Sequence, residues 1–379
     1  TSLFMSILSI IPNYLQVDIV LFFKILSIIS LFIFVRFGLK IKINNIPVLL
    51  LFFLSLPASI IHLFSGMETF YFAIFLTMIY VSLYNENSFN SFIYTSIAIL
   101  IRPEAWALIF IPLYFLATVE MSSKRINLSS LKIKIIKKNI LQVSVYFLTL
   151  LSFVVVLLYV NTNYFGHPFP TAAYKKIGSV VRIEQFLYFS FFCLPLIVLI
   201  IHKKIKLFIF LLGFLLAVCF VYAKSTLIMN YHERFLFHIF APIVFFLIYL
   251  SINTKKEALN FSNKFILIEK NNLKKVIYLI LIPFIGLYFY KSSIQLPTTY
   301  SYYPRLLNAY KVMGDFIHKN NNEVGEYNSI SVGDAGILPY NANVNSLDSL
   351  QLGSSYVTHQ GIDDKIIDIY NPKLIFLHA

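Results

Sequence analysis

Ten apolar runs recur along this chain, at about 17–36, 46–64, 67–84, 89–101, 104–118, 141–160, 185–201, 207–223, 235–251 and 276–291. A helix needs about 20 apolar residues to cross a hydrocarbon core about 30 Å thick. Inside that core every backbone N–H and C=O has to be satisfied within the fold, which a helix does by itself. The runs therefore predict an all-α polytopic membrane bundle. The fourth and fifth are short and meet at Arg102-Pro103-Glu104, so they read as a helical hairpin or a broken, partly re-entrant pair. Pro103 accounts for a break there, because it disfavours helix at Arg102 and removes an amide donor.

Composition agrees. Only 13% of the residues are charged and 58% are apolar, against about 25% charged in a soluble domain. The net charge of +14 does not point to nucleic acid, because the cations gather between the apolar runs. They cluster in 36–44 (Arg36, Lys40, Lys42), 119–140, 202–206 and 252–275. With ten spans all four segments fall on one side, which the positive-inside rule makes the cytoplasm. The remaining connections then share the opposite face. Cys193 and Cys219 both lie inside apolar runs and read as packing residues, without disulfide or zinc spacing. The chain opens at Thr1 without a charged n-region or a cleavage site, so it reads as a fragment of a longer protein.

The bundle is expected over 1–291, and from about 292 the pattern changes. PRLLNAYKVMGDFIHKN has helical spacing, and NSISVGD is a short alternating strand ending at a Gly-Asp turn. IIDIYNPKLIFLH reads as helix, turn and strand. Residues 292–379 thus predict a small extracytoplasmic α/β domain. Asp363-Asp364 follows Gly361 and opens that last helix, which marks it as an N-terminal helix charge.

The unusual polar residues belong to the connections opposite the basic ones. They are Glu68, Arg102, Glu104, His167, Lys175, Lys176, His232, Glu233 and Arg234. Each has a plain reading. Arg102 and Glu104 suit a hairpin tip, the lysine pair suits snorkelling to headgroups, and His232 and Arg234 suit a local pair around Glu233. Lys24, within the first run, also reads as a snorkelling residue. What favours function is coincidence, since four separate connections bring ionisable groups and rings to one side. Such groups cost about 2.5–3.5 kcal/mol at a helix centre and are kept where they line a wet cavity or bind a charged group. The pattern suits a lipid-linked phosphosugar: an apolar groove for the tail, Arg or Lys for phosphate, rings and carboxylates for sugar.

At this point the residues resemble a known family. TSLFMSILSI, SGMETFYFAIF, LIRPEAWAL, NYFGHPFPTAAYKK, YHERFLFHIFAP and VGDAGILPYNANVNSLDSLQL stand in the order seen in bacterial C-type membrane glycosyltransferases. The chain is most similar to their terminal β-arabinofuranosyltransferase-like group. The resemblance implies a GT-C-like bundle that moves a hexose or pentose, with inversion, from a polyprenyl-phosphate donor. The acceptor would be an envelope glycan, a glycolipid or a protein, at the outer face of a bacterial inner membrane. It assigns donor phosphate to Arg102, Lys175, Lys176, His232 and Arg234. Sugar or acceptor falls to Glu68, Glu104, Tyr164, His167, Tyr174 and Glu233, with Glu68 and Glu104 also suited to orienting an arginine. Pro168 and Pro170 would stiffen the 163–178 loop around the ligand. The family often has Asn-Thr where this chain has Thr171-Ala172. Its catalytic acidic pair is expected upstream of Thr1, which leaves the catalytic base unassigned and the fragment inactive alone. No cofactor is implied, and metal dependence stays open.

Two rivals are an O-antigen ligase or polymerase, which uses diphosphate-linked donors, and a transporter or flippase for lipid-linked sugar. The tail and the SGMET and RPE segments favour the transferase over the first. Charges at loop edges rather than mid-span disfavour the second. No Walker loop, nucleophile elbow, HExxH or paired CxxC occurs.

Overall fold

A computed structural model of the chain describes all residues except 1–2, 43–45, 65–67, 122–130, 136–139, 169–179, 203, 226–229, 254–269, 302, 325–328, 334–336, 350–361 and 377–379. Two compact units emerge. One comprises Thr1–Val155 with Val180–Ser293, the other Val156–Ser179 with Ile294–Ala379.

The first unit opens with α1 (Leu3–Leu15) and α2 (Ile19–Ile33), which passes into a π turn, Phe34–Gly38. Asp18 caps α2, its Oδ1 accepting from the Leu21 amide at 2.7 Å. Then come α3 (Val48–Ser55), α4 (Pro57–Phe64), α5 (Glu68–Tyr84) and α6 (Ser88–Ile101). A 3₁₀ stretch, Pro103–Phe110, leads into the single turn α7 (Ile111–Tyr114). The strands β1 (Ala117–Met121) and β2 (Leu131–Ile135) pair antiparallel. The helices resume with α8 (Ile140–Phe165), whose residues from Val156 on belong to the second unit, then α9 (Ile183–Phe191), the turn α10 (Val198–Ile201), α11 (Ile205–Ala223), α12 (Arg234–Asn253) and α13 (Lys270–Ser293).

One rule explains two of the breaks. A residue before proline is driven out of the helical region into extended backbone. Leu56, before Pro57, has ψ 137° and separates α3 from α4; Arg102, before Pro103, has ψ 139° and ends α6.

The ten apolar runs overstate the number of uninterrupted spans. Among the described residues five helices are long and apolar enough to cross a membrane, or up to seven if each bent pair is one span. The pair α4 and α5 bends by 101°, and α9 bends by 46° from Leu194–Ile201. The run at 104–118 is no single helix: it is 3₁₀, then one α turn, and its last two residues enter β1. Hydropathy registers apolar length but not where proline breaks the hydrogen-bond ladder. The chain is a polytopic membrane protein, an all-α bundle with a small C-terminal region of a few strands.

At the centre of the first unit is α12, buried from Arg234 to Ser251. It runs parallel to α5, with Phe72 against His238, Tyr80 against Phe246 and Tyr84 against Tyr249. Phe53 packs on Phe237, Phe240, Phe245 and Tyr288. Such ring pairs add about 0.5–1.5 kcal/mol each beyond burial. They matter here because lipid supplies no hydrophobic drive between helices and shape packing has to hold them. Gly38 sits so close to α5 that a Cβ would lie 2.7 Å from Met78 Sδ. Peripheral helices present apolar side chains outward, among them Phe32, Leu141, Val155 and Leu279, as a lipid-facing surface does.

The parallel pair gives the bundle two distinct ends. At the C-terminal end of α5, Asn85 donates to Tyr249 Oη at 3.0 Å, and Lys204 Nζ lies 5.2 Å from the Tyr84 ring. Asn253 Nδ2 donates to the Leu39 carbonyl at 3.0 Å, and Lys206 Nζ lies 3.9 Å from the Tyr114 ring. Leu39, Lys204 and Asn253, one from each of three basic segments, thereby stand near the end of α5. The N-terminal end of the same helices holds the acids and arginines.

In the second unit α14 (Leu296–Ser301) and α15 (Tyr303–Val324) precede β3 (Ser329–Val332), α16 (Ile337–Ala342) and β4 (Asn345–Asp348). α17 (Asp364–Tyr370) and β5 (Leu374–Phe376) follow. The three strands are parallel in the order β4-β3-β5. Leu306, Tyr310 and Ile317 of α15 cover Ile330 together with Leu338 and Ala342. Asp363 caps α17, its Oδ1 accepting from the Ile366 amide at 2.9 Å, the helix-opening role its sequence context implies. Asn371, left-handed at φ 39°, ends α17 and turns the chain toward β5.

Candidate functional site: a charge-balanced arginine cluster

Three sequence-distant segments meet where α5 and α12 begin. Glu68 opens α5, Arg102 terminates α6, Glu104 starts the 3₁₀ stretch and Arg234 opens α12. Arg102 is extended because Pro103 follows it, and that turns its guanidinium off the α6 axis. It meets Glu104 as a fork, Nη2 to Oε1 at 2.9 Å and Nε to Oε2 at 3.1 Å. Arg102 Nη1 reaches Glu68 Oε1 at 3.1 Å, and Arg234 Nη2 reaches the same oxygen at 2.6 Å. Arg234 Nε donates to Thr69 Oγ1 at 2.9 Å. The Phe235 ring lies 5.8 Å from the Arg102 guanidinium carbon.

The charges balance: two arginines, two carboxylates. Both arginine side chains are about nine-tenths buried and Glu104 nearly so, while Glu68 is 21% exposed. In low dielectric an unpaired ion costs several kcal/mol, so near-neutrality is the condition for keeping four ions here.

Two residues within the apolar runs complete the cluster. His238, one turn into α12, has Nε2 3.3 Å from Arg102 Nη1 and Nδ1 3.0 Å from Tyr222 Oη. A guanidinium only donates, so Nε2 accepts; Nδ1 then carries the proton and donates to the tyrosine oxygen. Tyr222, near the end of α11, fixes the histidine, and the histidine fixes Arg102. The signal for His238 was in the sequence, since it stands four residues from Arg234 on one helical face inside an apolar span. Thr69 and Tyr222 carried no such signal.

The arginines differ in what remains free. Arg102 commits four of its five N–H donors to Glu104, Glu68 and His238. Arg234 commits one to Glu68 and one to Thr69, and its Nη1 meets no acceptor among the described residues. The cluster thus presents a fixed cation with open donors beside a second cation, at the helix end where an anion is favoured.

The other sequence candidates fall elsewhere. His232 is buried, its Nδ1 donating to the Ser292 carbonyl at 3.0 Å while its own carbonyl accepts from His62 Nε2 at 3.0 Å. That arrangement ties α4, α12 and α13 together. Glu233 is half-buried beside Asn230 Nδ2 at 3.5 Å. His232 and Glu233 are both left-handed, at φ 49° and 56°, and each such non-glycine residue costs about 1–3 kcal/mol. His167 and Tyr164 belong to the second unit, where Gly166 has φ 77° and Asn161 Nδ2 donates to the Pro168 carbonyl at 3.1 Å. Tyr174, Lys175 and Lys176 lie outside the described residues, as do Pro170, Thr171 and Ala172. Cys193 and Cys219 are buried free thiols. Among the described residues no group of three or more His, Cys, Asp or Glu side chains is placed to hold a metal.

No protein-family model, curated protein or solved structure matches this chain.

Proposed function

We propose that the chain is a membrane glycosyltransferase of the C type, moving a sugar from a polyprenyl-phosphate donor at the extracytoplasmic face. The observation that carries this reading is the pair of arginines sharing one Glu68 oxygen, with Arg234 Nη1 unspent among the described residues. An apolar bundle accommodates the polyprenyl tail, and the cluster supplies the cationic seat for its phosphate. When the glycosidic bond breaks, negative charge develops on the departing lipid phosphate. Preorganised guanidinium donors stabilise that charge without reorganising. Glu68 and Glu104 hold the arginines in place and are consumed by them, which leaves neither free to act as the base.

The two ends of the bundle support the proposed sidedness. Leu39, Lys204 and Asn253 of the basic segments stand near one end of α5 and the arginine cluster stands at the other. If positive charge is retained in the cytoplasm, the cluster faces outward in this reading.

The test is donor consumption by the protein reconstituted in proteoliposomes with an acceptor glycan. A labelled polyprenyl-monophosphate sugar should release polyprenyl phosphate, while the diphosphate-linked analogue is left unused. Consumption of the diphosphate donor alone, or transbilayer movement of donor without covalent product, would overturn the reading.

A further inference from the structure

Helix α15 carries two apolar stripes where a surface helix needs one. The first, Leu306, Tyr310 and Ile317, is spent on the sheet. Gly314 lies on the same face, so tight against α16 that a Cβ would stand 2.9 Å from the Leu338 carbonyl oxygen. The second is Ala309, Val312, Met313 and Phe316, at spacing i, i+3, i+4, i+7, which is one face of a helix. It lies beside the covered face, with the polar Asn308, Lys311 and Asp315 beyond it, and is open: Val312 is 60% and Phe316 64% exposed. A helix covering one core is expected to be polar on its far side.

The chain itself indicates what covers this stripe. α13 is long and apolar enough to cross a membrane and ends at Ser293, and α15 begins ten residues later. The connecting sequence, YFYKSSIQLPTTYSYYPR, is rich in tyrosine, the residue that collects at the membrane–water boundary. Tyr290, Ile294 and Tyr300 are all more than half exposed. Ten residues reach at most about 35 Å even when fully extended, and the α14 turn shortens that further. Arg305 stands one turn before Ala309 on the stripe's own line, and Lys319 follows Phe316 by three. An apolar strip bounded by cations is how an interfacial helix is made, its rings among the acyl chains and its cations at anionic headgroups.

We infer that the α14–α15 segment lies on the bilayer surface, with Ala309, Val312, Met313 and Phe316 in the headgroup–acyl boundary and Arg305 and Lys319 against anionic lipid. The helix thereby anchors the α/β unit to the membrane. This inference rests on the membrane character of α13, not on the chemistry of the arginine cluster.

The test uses the whole chain reconstituted in nanodiscs of phosphatidylcholine with phosphatidylglycerol. A bimane probe is placed at Phe316→Cys, Val312→Cys or Lys311→Cys in turn. The native thiols Cys193 and Cys219 are buried, and the unlabelled parent measures any labelling of them. Brominated lipid should quench the probes at 312 and 316, and aqueous iodide should quench only the one at 311. Removing phosphatidylglycerol, or the substitutions Arg305→Gln and Lys319→Gln, should increase iodide quenching at 316. Equal iodide quenching at all three sites overturns the inference. So does a 316 probe shielded from both iodide and bromolipid, which would mean that protein covers the stripe.

Discussion

At the residue scale the account turns on how four ions share a few ångströms. Glu104 is the bidentate partner of Arg102, so Glu104→Ala leaves a buried guanidinium half-paired. Breaking a buried pair from one side costs about 3–5 kcal/mol, and the apparent melting temperature in nanodiscs should fall accordingly. Arg102→Lys keeps the charge but loses the fork and the contact to His238. Donor turnover should fall by about tenfold or more, because Glu68 and with it Arg234 lose their fixed neighbour, with the melting temperature much less affected than in Glu104→Ala. His238 sets Arg102 through an accepting Nε2. His238→Asn, which also offers an acceptor, should retain more activity than His238→Leu. Little of this was legible beforehand. The sequence showed that Glu68, Arg102, Glu104 and Arg234 belong to one face, but pairing is a matter of distance. Only folding reveals that a single Glu68 oxygen serves both arginines.

At the element scale, breaks and close approaches matter more than hydropathy. The proline rule was readable at Arg102-Pro103, and the structure applies it again at Leu56-Pro57. The left-handed pair at His232 and Glu233 was not readable, because neither residue type announces φ above zero. It arises where the chain enters α12 with His232 held between the partners of α4 and α13. Strain of that kind predicts an asymmetry. Glu233→Gly should melt at or above the wild-type temperature, and Glu233→Val should melt lower, since a β-branched residue tolerates this region poorly. In the α/β unit, Gly314 faces the backbone of α16, which cannot swing aside as a side chain can. Gly314→Ala should destabilise that unit by about 1–3 kcal/mol, read as faster amide exchange in β3 and α15.

For the molecule as a whole, the polypeptide builds one helical bundle with two chemically different ends, and an α/β unit of which the sequence foretold the long helix, the first strand and the closing helix and strand but not α14, α16 or β4. Periodicity identified the helix at 304–320, the strand at 328–334 and the closing helix and strand, because short soluble elements carry full amphipathic signals. Inside the bundle that signal fails. α5 and α12 are buried nearly all round, so no face stands out and their parallel contact had to be seen. The same contact explains why Leu39, Lys204 and Asn253 stand at the opposite end from the ion cluster. Cysteine accessibility should therefore place residues 36–42 and 202–206 on the cytoplasmic side of intact cells, opposite Arg102.

The most direct measurement is native mass spectrometry of polyprenyl monophosphate bound to the full chain, for wild type, Arg102→Gln with Arg234→Gln, and Glu68→Gln. The account predicts binding to wild type, loss of it without the arginines, and tighter binding when Glu68 no longer competes for them. Equal occupancy in all three proteins would contradict it.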